Sequence, residues 1–293
     1  MINHAQTKTA GVRSTPAFNL AMRTLLRALV YIVVALGAIL VFVPVVYMIS
    51  SSFKQSTDIF KVPFQWIPSP FVPQNYVEAL KIAPFGRYFI NSLIVSVATT
   101  LLNVFFSTLT GFGFAKYNFW AKQFMFMSIL ATLMIPFQAI MVPLFVIIRG
   151  LNWLNTYPGL IVPWAISAFG IFLMRQFILS IPDELLDAAR IDGASEPGLF
   201  WYVILPLSQT PMITLAIFTF LDSWNNLLWP LIIITRVDMR TVSLGLTEFQ
   251  TLHGTAYNLL MAGSTIATIP ILILFIFLQR YFIRGVVLSG LKG

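Results

Sequence analysis

The chain has 293 residues, of which 58% are hydrophobic and only 10% charged, with a mean hydropathy of +0.85. Those values exclude an ordinary soluble domain and point to a polytopic membrane protein. The formal net charge of +8 would suggest a nucleic-acid partner in a soluble protein, but here orienting Lys and Arg residues account for it and no nucleic acid is expected.

Residues 1–24 form a polar, basic tail. The apolar run that follows exceeds a signal-peptide core and lacks a small-residue cleavage site, so it reads as a retained first span. A bilayer core of roughly 30 Å needs about 20 apolar residues in a helix. Six runs meet that length: Leu25–Ile49, Tyr88–Ala115, Phe124–Ile148, Pro158–Leu179, Met212–Ile234 and Asn258–Phe282. They are continuous, unlike the weak ten-residue alternation of a barrel, and predict an all-α transmembrane bundle. The first span and an outer loop occupy 25–84, a core domain 85–282, and a tail 283–293.

The connections differ in character. The outer loop at 50–87 is long, and Pro63, Pro68, Pro70, Pro73 and Pro84 limit regular helix there. The loop at 116–123 is short and basic, 149–157 is an outer turn, 180–211 is a large inner loop, and 235–257 is a polar outer segment. With the N-terminus inside, eleven of the eighteen Lys and Arg residues fall on the cytoplasmic side, which predicts both termini cytoplasmic and a multi-pass protein of the cell (inner) membrane. Pro44, Pro136, Pro143 and Pro163 interrupt spans. Most are read as packing kinks, with Pro136 and Pro143 the best candidates for a discontinuous helix along a pathway.

Residues 180–211 carry Asp183, Glu184, Asp187, Asp192 and Glu196, half of the ten acidic residues in the chain. Pro182 suits a first helical position, with Asp183 and Glu184 in the first turn, where acids complement the helix dipole. Leu185, Leu186 and Ala189 share an apolar face, and Gly193 closes the helix with a bend that needs no Cβ. Ser195 is a fitting N-cap for a second helix opening at Glu196-Pro197, whose Leu199, Phe200, Val203, Ile204 and Leu207 follow helical spacing. A solvated loop without a partner would not need exposed Leu199, Phe200 and Val203, so the segment is expected to dock on a soluble protein.

The spacing Asp187-Ala188-Ala189, three residues, Gly193, nine residues, Val203, one residue, Leu205-Pro206 resembles the EAA motif of ABC-importer permeases. The run from Ala188 through Asp192 and Gly193 to Ala194, the pair Trp224-Asn225, and Tyr281-Phe282-Ile283-Arg284-Gly285 through Lys292-Gly293 are similar to the carbohydrate-importer, maltose-type branch. Asp187 stands where that family usually has Glu, and Val203 where it usually has Ile. The resemblance implies a type I permease fold of six spans, with 180–211 as a coupling element seated in a cleft of a cytoplasmic ATPase. It also implies a second permease subunit, two ATPase subunits that hold ATP and Mg, an extracytoplasmic solute-binding protein and a sugar substrate. No cofactor is expected in this chain itself.

Asp222 is the one acid inside a predicted span, and a charge there faces the protein interior or water. With Asn225, Asn226 and Trp224 it offers hydrogen-bonding groups and a flat apolar face, a mixture that suits a sugar in a membrane path. A structural hydrogen-bond cluster between helices fits the same residues. Asp222, Asn225 and Asn226 share one helical face, whereas Trp224 is rotated about 200° from Asp222. Asp222 and Asn225 are therefore the favoured contacts and Trp224 the packing residue. Asn91, Asn103 and Gln138 could also line a path, and Gly111 and Gly113 are read as sites of close helix approach.

Cysteine is absent, so disulfides and thiolate metal sites are excluded, and His4 and His253 lie far apart in predicted loops. The chain has no G-x-x-x-x-G-K-[ST], H-E-x-x-H or G-x-S-x-G, so no enzymatic activity is expected and ATP hydrolysis must come from another polypeptide. An ion-coupled secondary transporter or channel acting through Asp222, and a permease of the same superfamily for a polyol or glycerol phosphate, are the alternatives.

Overall fold

The structure is a computed structural model that describes residues 16–251 and 254–290. Three helices are each long and apolar enough to cross a membrane: α1 (Pro16–Ser52), α3 (Phe85–Lys116) and α14 (Tyr257–Gly290). Between α1 and α3 lies the short α2 (Gln74–Ile82), and the short α13 (Val242–Gly245) precedes α14. Three bent pairs, Lys122–Met134 with Phe137–Gly150, Tyr157–Trp164 with Ala168–Ile178, and Glu196–Leu207 with Gln209–Asn225, bring the possible spans to six.

The breaks follow local chemistry. α4 (Lys122–Ala131) and its 3-10 extension to Met134 meet α5 (Phe137–Gly150) at 105°, with Pro136 in extended conformation at the corner. Pro136, which has no N–H and holds Ile135 out of the helical region, provides the break. Pro143 lies inside α5 without interrupting it. α6 (Tyr157–Ile161) and the turn Val162–Trp164 meet α7 (Ala168–Ile178) at 43°. There Ser167 caps α7 by accepting from Gly170 N at 3.0 Å.

The predicted fifth span is also divided. α11 (Gln209–Asn225) ends at the polar pair Asn225-Asn226, and α12 (Leu228–Ile233) restarts after it. Asn226 Oδ1 accepts from Trp229 N at 3.2 Å and so satisfies an otherwise orphan N–H of the new helix. α14 continues to Gly290, past the span end expected at Phe282. His4, His253, Lys292 and Gly293 lie outside the described residues.

α3 is the central strut, packed against α7, α11 and α6, while α11 also packs on α14, and α14 on α1 and α2. Gly111 permits the α3–α7 approach: an added Cβ would sit 2.8 Å from Met174 Cβ and 2.9 Å from Arg175 N. Gly113, by contrast, faces open space and plays no such part.

Polar contacts sort the loops onto two ends. At one end Lys116 Nζ reaches Asp183 at 2.6 Å and Ile181 O at 2.5 Å, joining the loop after α3 to the 180–211 segment. At the other, Asn91 Nδ2 donates to Asp238 O and Arg240 O, both at 2.9 Å. Asn155 Oδ1 accepts from Thr235 N at 2.7 Å, and Asn258 donates to Asn75 Oδ1 at 2.9 Å. The loops at 50–87, 149–157 and 235–257 thus share the end opposite the large acidic loop, the alternation expected from the span reading. Asn91 is buried and fully engaged in this latch, so it is structural and not part of a path.

Candidate functional site

The 180–211 segment is a bent stack of short helices. α8 (Asp183–Ile191) begins one residue later than expected, with Pro182 as its N-cap. It closes through Gly193 at φ +88°, where Gly193 N donates to Arg190 O at 3.0 Å and Ala194 N to Ala189 O at 2.9 Å. That pair of bonds is a Schellman closure, which satisfies orphan carbonyls and requires a left-handed residue at the glycine. Ser195 Oγ then accepts from Gly198 N at 3.3 Å and caps α9 (Glu196–Leu199). A π-helical turn at Phe200–Ile204 leads to α10 (Leu205–Leu207), after which the chain turns 79° at Ser208 into α11.

The apolar side of this stack points inward. Leu186, Leu199, Phe200 and Ile204 are buried with Phe112, Met174 and Ile178, and Ala189, Ala194, Val203 and Leu205 pack at the margin. Leu199 and Phe200, expected on the surface, are therefore core residues that anchor the loop to α3 and α7. The apolar groups that do remain outside are others: Ile191 is 87% and Tyr202 82% exposed, with Leu185 and Trp201 nearby in sequence. Asp187, Ala188, Asp192 and Pro206 are exposed as well.

A polar clasp fixes the same segment from the side. Arg190 bonds Asp187 at 2.8 Å and Glu196 at 3.1 Å, bridging the two helices across the Gly193 bend. Tyr117, the residue that follows α3, donates its hydroxyl to Glu196. Lys116, only 6% exposed, holds Asp183. The Tyr117 and Arg190 bonds pull the Glu196 carboxyl below its ordinary range, and Lys116 does the same for Asp183. Burial and the neighbouring Glu196 carboxylate push the Tyr117 hydroxyl up to about 12.

Both lowered carboxylates contribute stability at neutral pH that is lost only as pH falls through their depressed values; the raised Tyr117 contribution is lost only as pH rises towards 12. The two carboxylates therefore stay charged and the Tyr117 hydroxyl neutral throughout the physiological range. Exposed pairs are individually weak. Lys116→Gln or Tyr117→Phe alone is expected to loosen the segment only slightly, and the double change more, because the bonds hold one body. Limited proteolysis within residues 180–211 checks this, and unaltered cleavage of the double variant would refute it.

The sequence pointed to Asp187, Ala188, Ala189, Asp192, Gly193, Leu205 and Pro206, but not to Lys116 or Tyr117. A legible signal existed: a basic loop and an acidic loop predicted on one side of the membrane.

A concave feature lies midway along the bundle. A cavity of about 190 Å³ is lined by residues of α3, α7, α11 and the turn before α7, among them Thr99, Asn103, Trp164, Ser167, Asp222 and Asn226. Asn103 is spent on structure, donating to Trp164 O at 3.0 Å and accepting from Ser107 and Ser167, both at 3.2 Å. Asp222 faces the opening and has no hydrogen-bond or ion-pair partner among the described residues. Asn225, favoured from helical spacing, is not in the lining; its Nδ2 turns back to Leu221 O at 2.8 Å. Asn226, one turn beyond Asp222, takes that place. Trp224 is buried on the far face and donates Nε1 to Ala267 O at 3.1 Å, a packing contact with α14. Gln138 is exposed and outside the cavity.

Residues 103–288 match the model of the binding-protein-dependent transport system inner membrane component family. The chain is 39% identical over 253 residues to an arabinooligosaccharides transport system permease protein, AraQ, of Halalkalibacterium halodurans, covering 85% of this chain and 91% of that protein. It is 34% identical over 265 residues to the sn-glycerol-3-phosphate transport system permease protein UgpE of Yersinia enterocolitica, covering 88% and 94%. The fold is similar to a chain of a bacterial ABC transporter involved in import of the acidic polysaccharide alginate, with TM-score 0.77 and 20% identity over 88% of this chain and 97% of that one. The matched length, the EAA-type spacing and its clasped helix–glycine–helix geometry converge: this chain belongs to the binding-protein-dependent permease family of ABC importers.

Proposed function

We propose that the chain is one transmembrane subunit of an ATP-driven importer of a sugar or oligosaccharide, lying in the cell (inner) membrane with both termini cytoplasmic. Six crossings are made by α1, α3, the α4–α5 and α6–α7 pairs, the α11–α12 unit and α14. The single observation that carries the reading is the 180–211 element: a capped, closed pair of helices, buried on one side and presenting Ile191 and Tyr202 on the other. A body of that kind transmits motion instead of absorbing it. Two cytoplasmic ATPase subunits, which hold ATP and Mg, dock there with Asp187, Gly193 and their neighbours at the contact. A second, different permease subunit completes the pathway, α1 offers its apolar face to lipid or to that subunit, and a solute-binding protein delivers the sugar to the opposite end. The AraQ relatives support the sugar class, and Asp222 and Asn226 are the substrate-path residues.

The test is ATP-dependent uptake in proteoliposomes holding both permeases and the ATPase, with the binding protein added. Uptake by the purified chain without any ATPase would favour a secondary carrier instead. The coupling role has its own test. Asp187→Lys turns the 2.8 Å attraction to Arg190 into repulsion on the docking element. We expect co-purification of the ATPase to fall severalfold while the chain still inserts, and full retention of the ATPase would count against the assignment.

A further inference from the structure

We propose that the cavity beside Asp222 is a subsite for a single uncharged sugar ring, and that it discriminates against acidic saccharides and phosphate esters. The inference rests on the importer reading and adds the charge class of what passes.

Three unspent hydrogen-bonding groups share this lining. The exposed Asp222 carboxylate has no partner among the described residues, whereas Thr99 Oγ1 and Trp164 Nε1 are buried without one. Native structures seldom leave buried polar groups unpaired, and those that remain call for an explanation. An ionised carboxylate is acceptor-only and takes two O–H groups side by side, the arrangement of neighbouring sugar hydroxyls. Trp164 supplies a donor, and the Thr99 hydroxyl can do either, so the set complements a polyhydroxyl ring. In the same lining, Phe169 and Phe218 meet edge to face at 6.0 Å and offer an apolar surface to the ring's C–H groups.

Charge then selects. No Lys or Arg among the described residues lines the cavity, so an anionic group there would face Asp222 with nothing from them to compensate it. Size also selects: about 190 Å³ falls short of the roughly 300–1,000 Å³ typical of drug-sized ligand sites, which suits one ring of a longer chain passing in steps.

The chain has no cysteine, so Ser223→Cys places a near-isosteric thiol in the cavity wall. The complete transporter, its other cysteines replaced, is labelled with a hydrophilic thiol reagent in the presence of arabinotriose, maltotriose or trigalacturonate. A neutral trisaccharide is expected to slow labelling severalfold and trigalacturonate to leave it unchanged. Adding Asp222→Asn should raise the concentration of neutral sugar needed for protection about tenfold, since a charge-assisted acceptor is lost. Equal protection by trigalacturonate overturns the charge selection. Protection by none of the three, in vesicles that still take up saccharide with ATP, overturns the subsite while leaving the importer reading intact. Absence of ATP-dependent uptake for every saccharide removes that reading and the subsite with it.

Discussion

Gly193→Val is expected to lower ATP-driven uptake at least about tenfold in a chain that still reaches the membrane. The cause is backbone conformation alone. Nothing lies within 4 Å of a Cβ built at Gly193, so no clash arises, but its φ of +88° is one that a β-branched residue resists. A left-handed conformation costs an ordinary L-residue about 1–2 kcal/mol, and more when branched. The segment relieves the strain by giving up the closure in which Gly193 and Ala194 donate to Arg190 and Ala189. The angle between α8 and α9 then changes, and with it the Arg190 bridge to Glu196. Because Leu199 and Ile204 remain buried in the bundle, folding and insertion should survive. The expected order of uptake is Gly, then Asn, then Ala, then Val, since Asn tolerates this region best after Gly. The comparison needs uptake, ATPase stimulation and membrane level for all four chains. Wild-type uptake by the valine variant would sink the claim that this bend transmits motion.

Gly111→Leu should act differently, by unseating α3 from α7. Here the obstacle is steric and rigid: Met174 Cβ at 2.8 Å and the Arg175 backbone N at 2.9 Å would have to move. Overpacking a close contact costs about 1–3 kcal/mol and occasionally more. The strain falls where the clasped end of α3, the buried Phe112 and Met174, and α7 meet. We expect a clear drop in melting temperature of the purified complex and poor recovery of the chain, with Gly111→Ala intermediate. Gly113→Leu is the control, because that position has no atom within 4 Å of its built Cβ. If Leu at 111 and Leu at 113 were equally tolerated, the close approach would not hold the bundle together.

The amino-acid pattern was informative wherever the cause is local. Ser195 as a cap and Gly193 as a left-handed closure follow from the chemistry of one turn, and both stand in the structure as read. The same applies to Trp224, whose packing role follows from 100° of rotation per residue. Proline was only partly informative. Pro136 sits at a 105° corner whereas Pro143 is absorbed within α5. An unbonded carbonyl one turn back can be tolerated or can end the helix, and surroundings decide which.

Burial of the loop was not legible. Leu199 and Phe200 in helical spacing announce an apolar face without saying whether it meets a partner or the chain's own α3 and α7; they face inward, and Ile191 and Tyr202 are left outside. The exchange of Asn225 for Asn226 has a similar origin. Both lie within one helical face of Asp222, but α11 ends between them, so Asn225 bonds back to Leu221 while Asn226 turns into the cavity and caps α12.

The residue pattern alone marks an all-α membrane protein carrying one acidic, glycine-hinged loop of the importer-permease kind. Those conclusions rest on hydropathy, span length, caps and motif spacing, which short stretches of chain encode. Helix packing was needed to show that Lys116 and Tyr117 clasp that loop, that Gly111 and not Gly113 carries the helix contact, and that Thr99 and Trp164 join Asp222 around one cavity. Each of those facts joins residues that are 60 or more positions apart or depends on which face of a helix meets its neighbour, and α-helical periodicity marks faces without naming their partners.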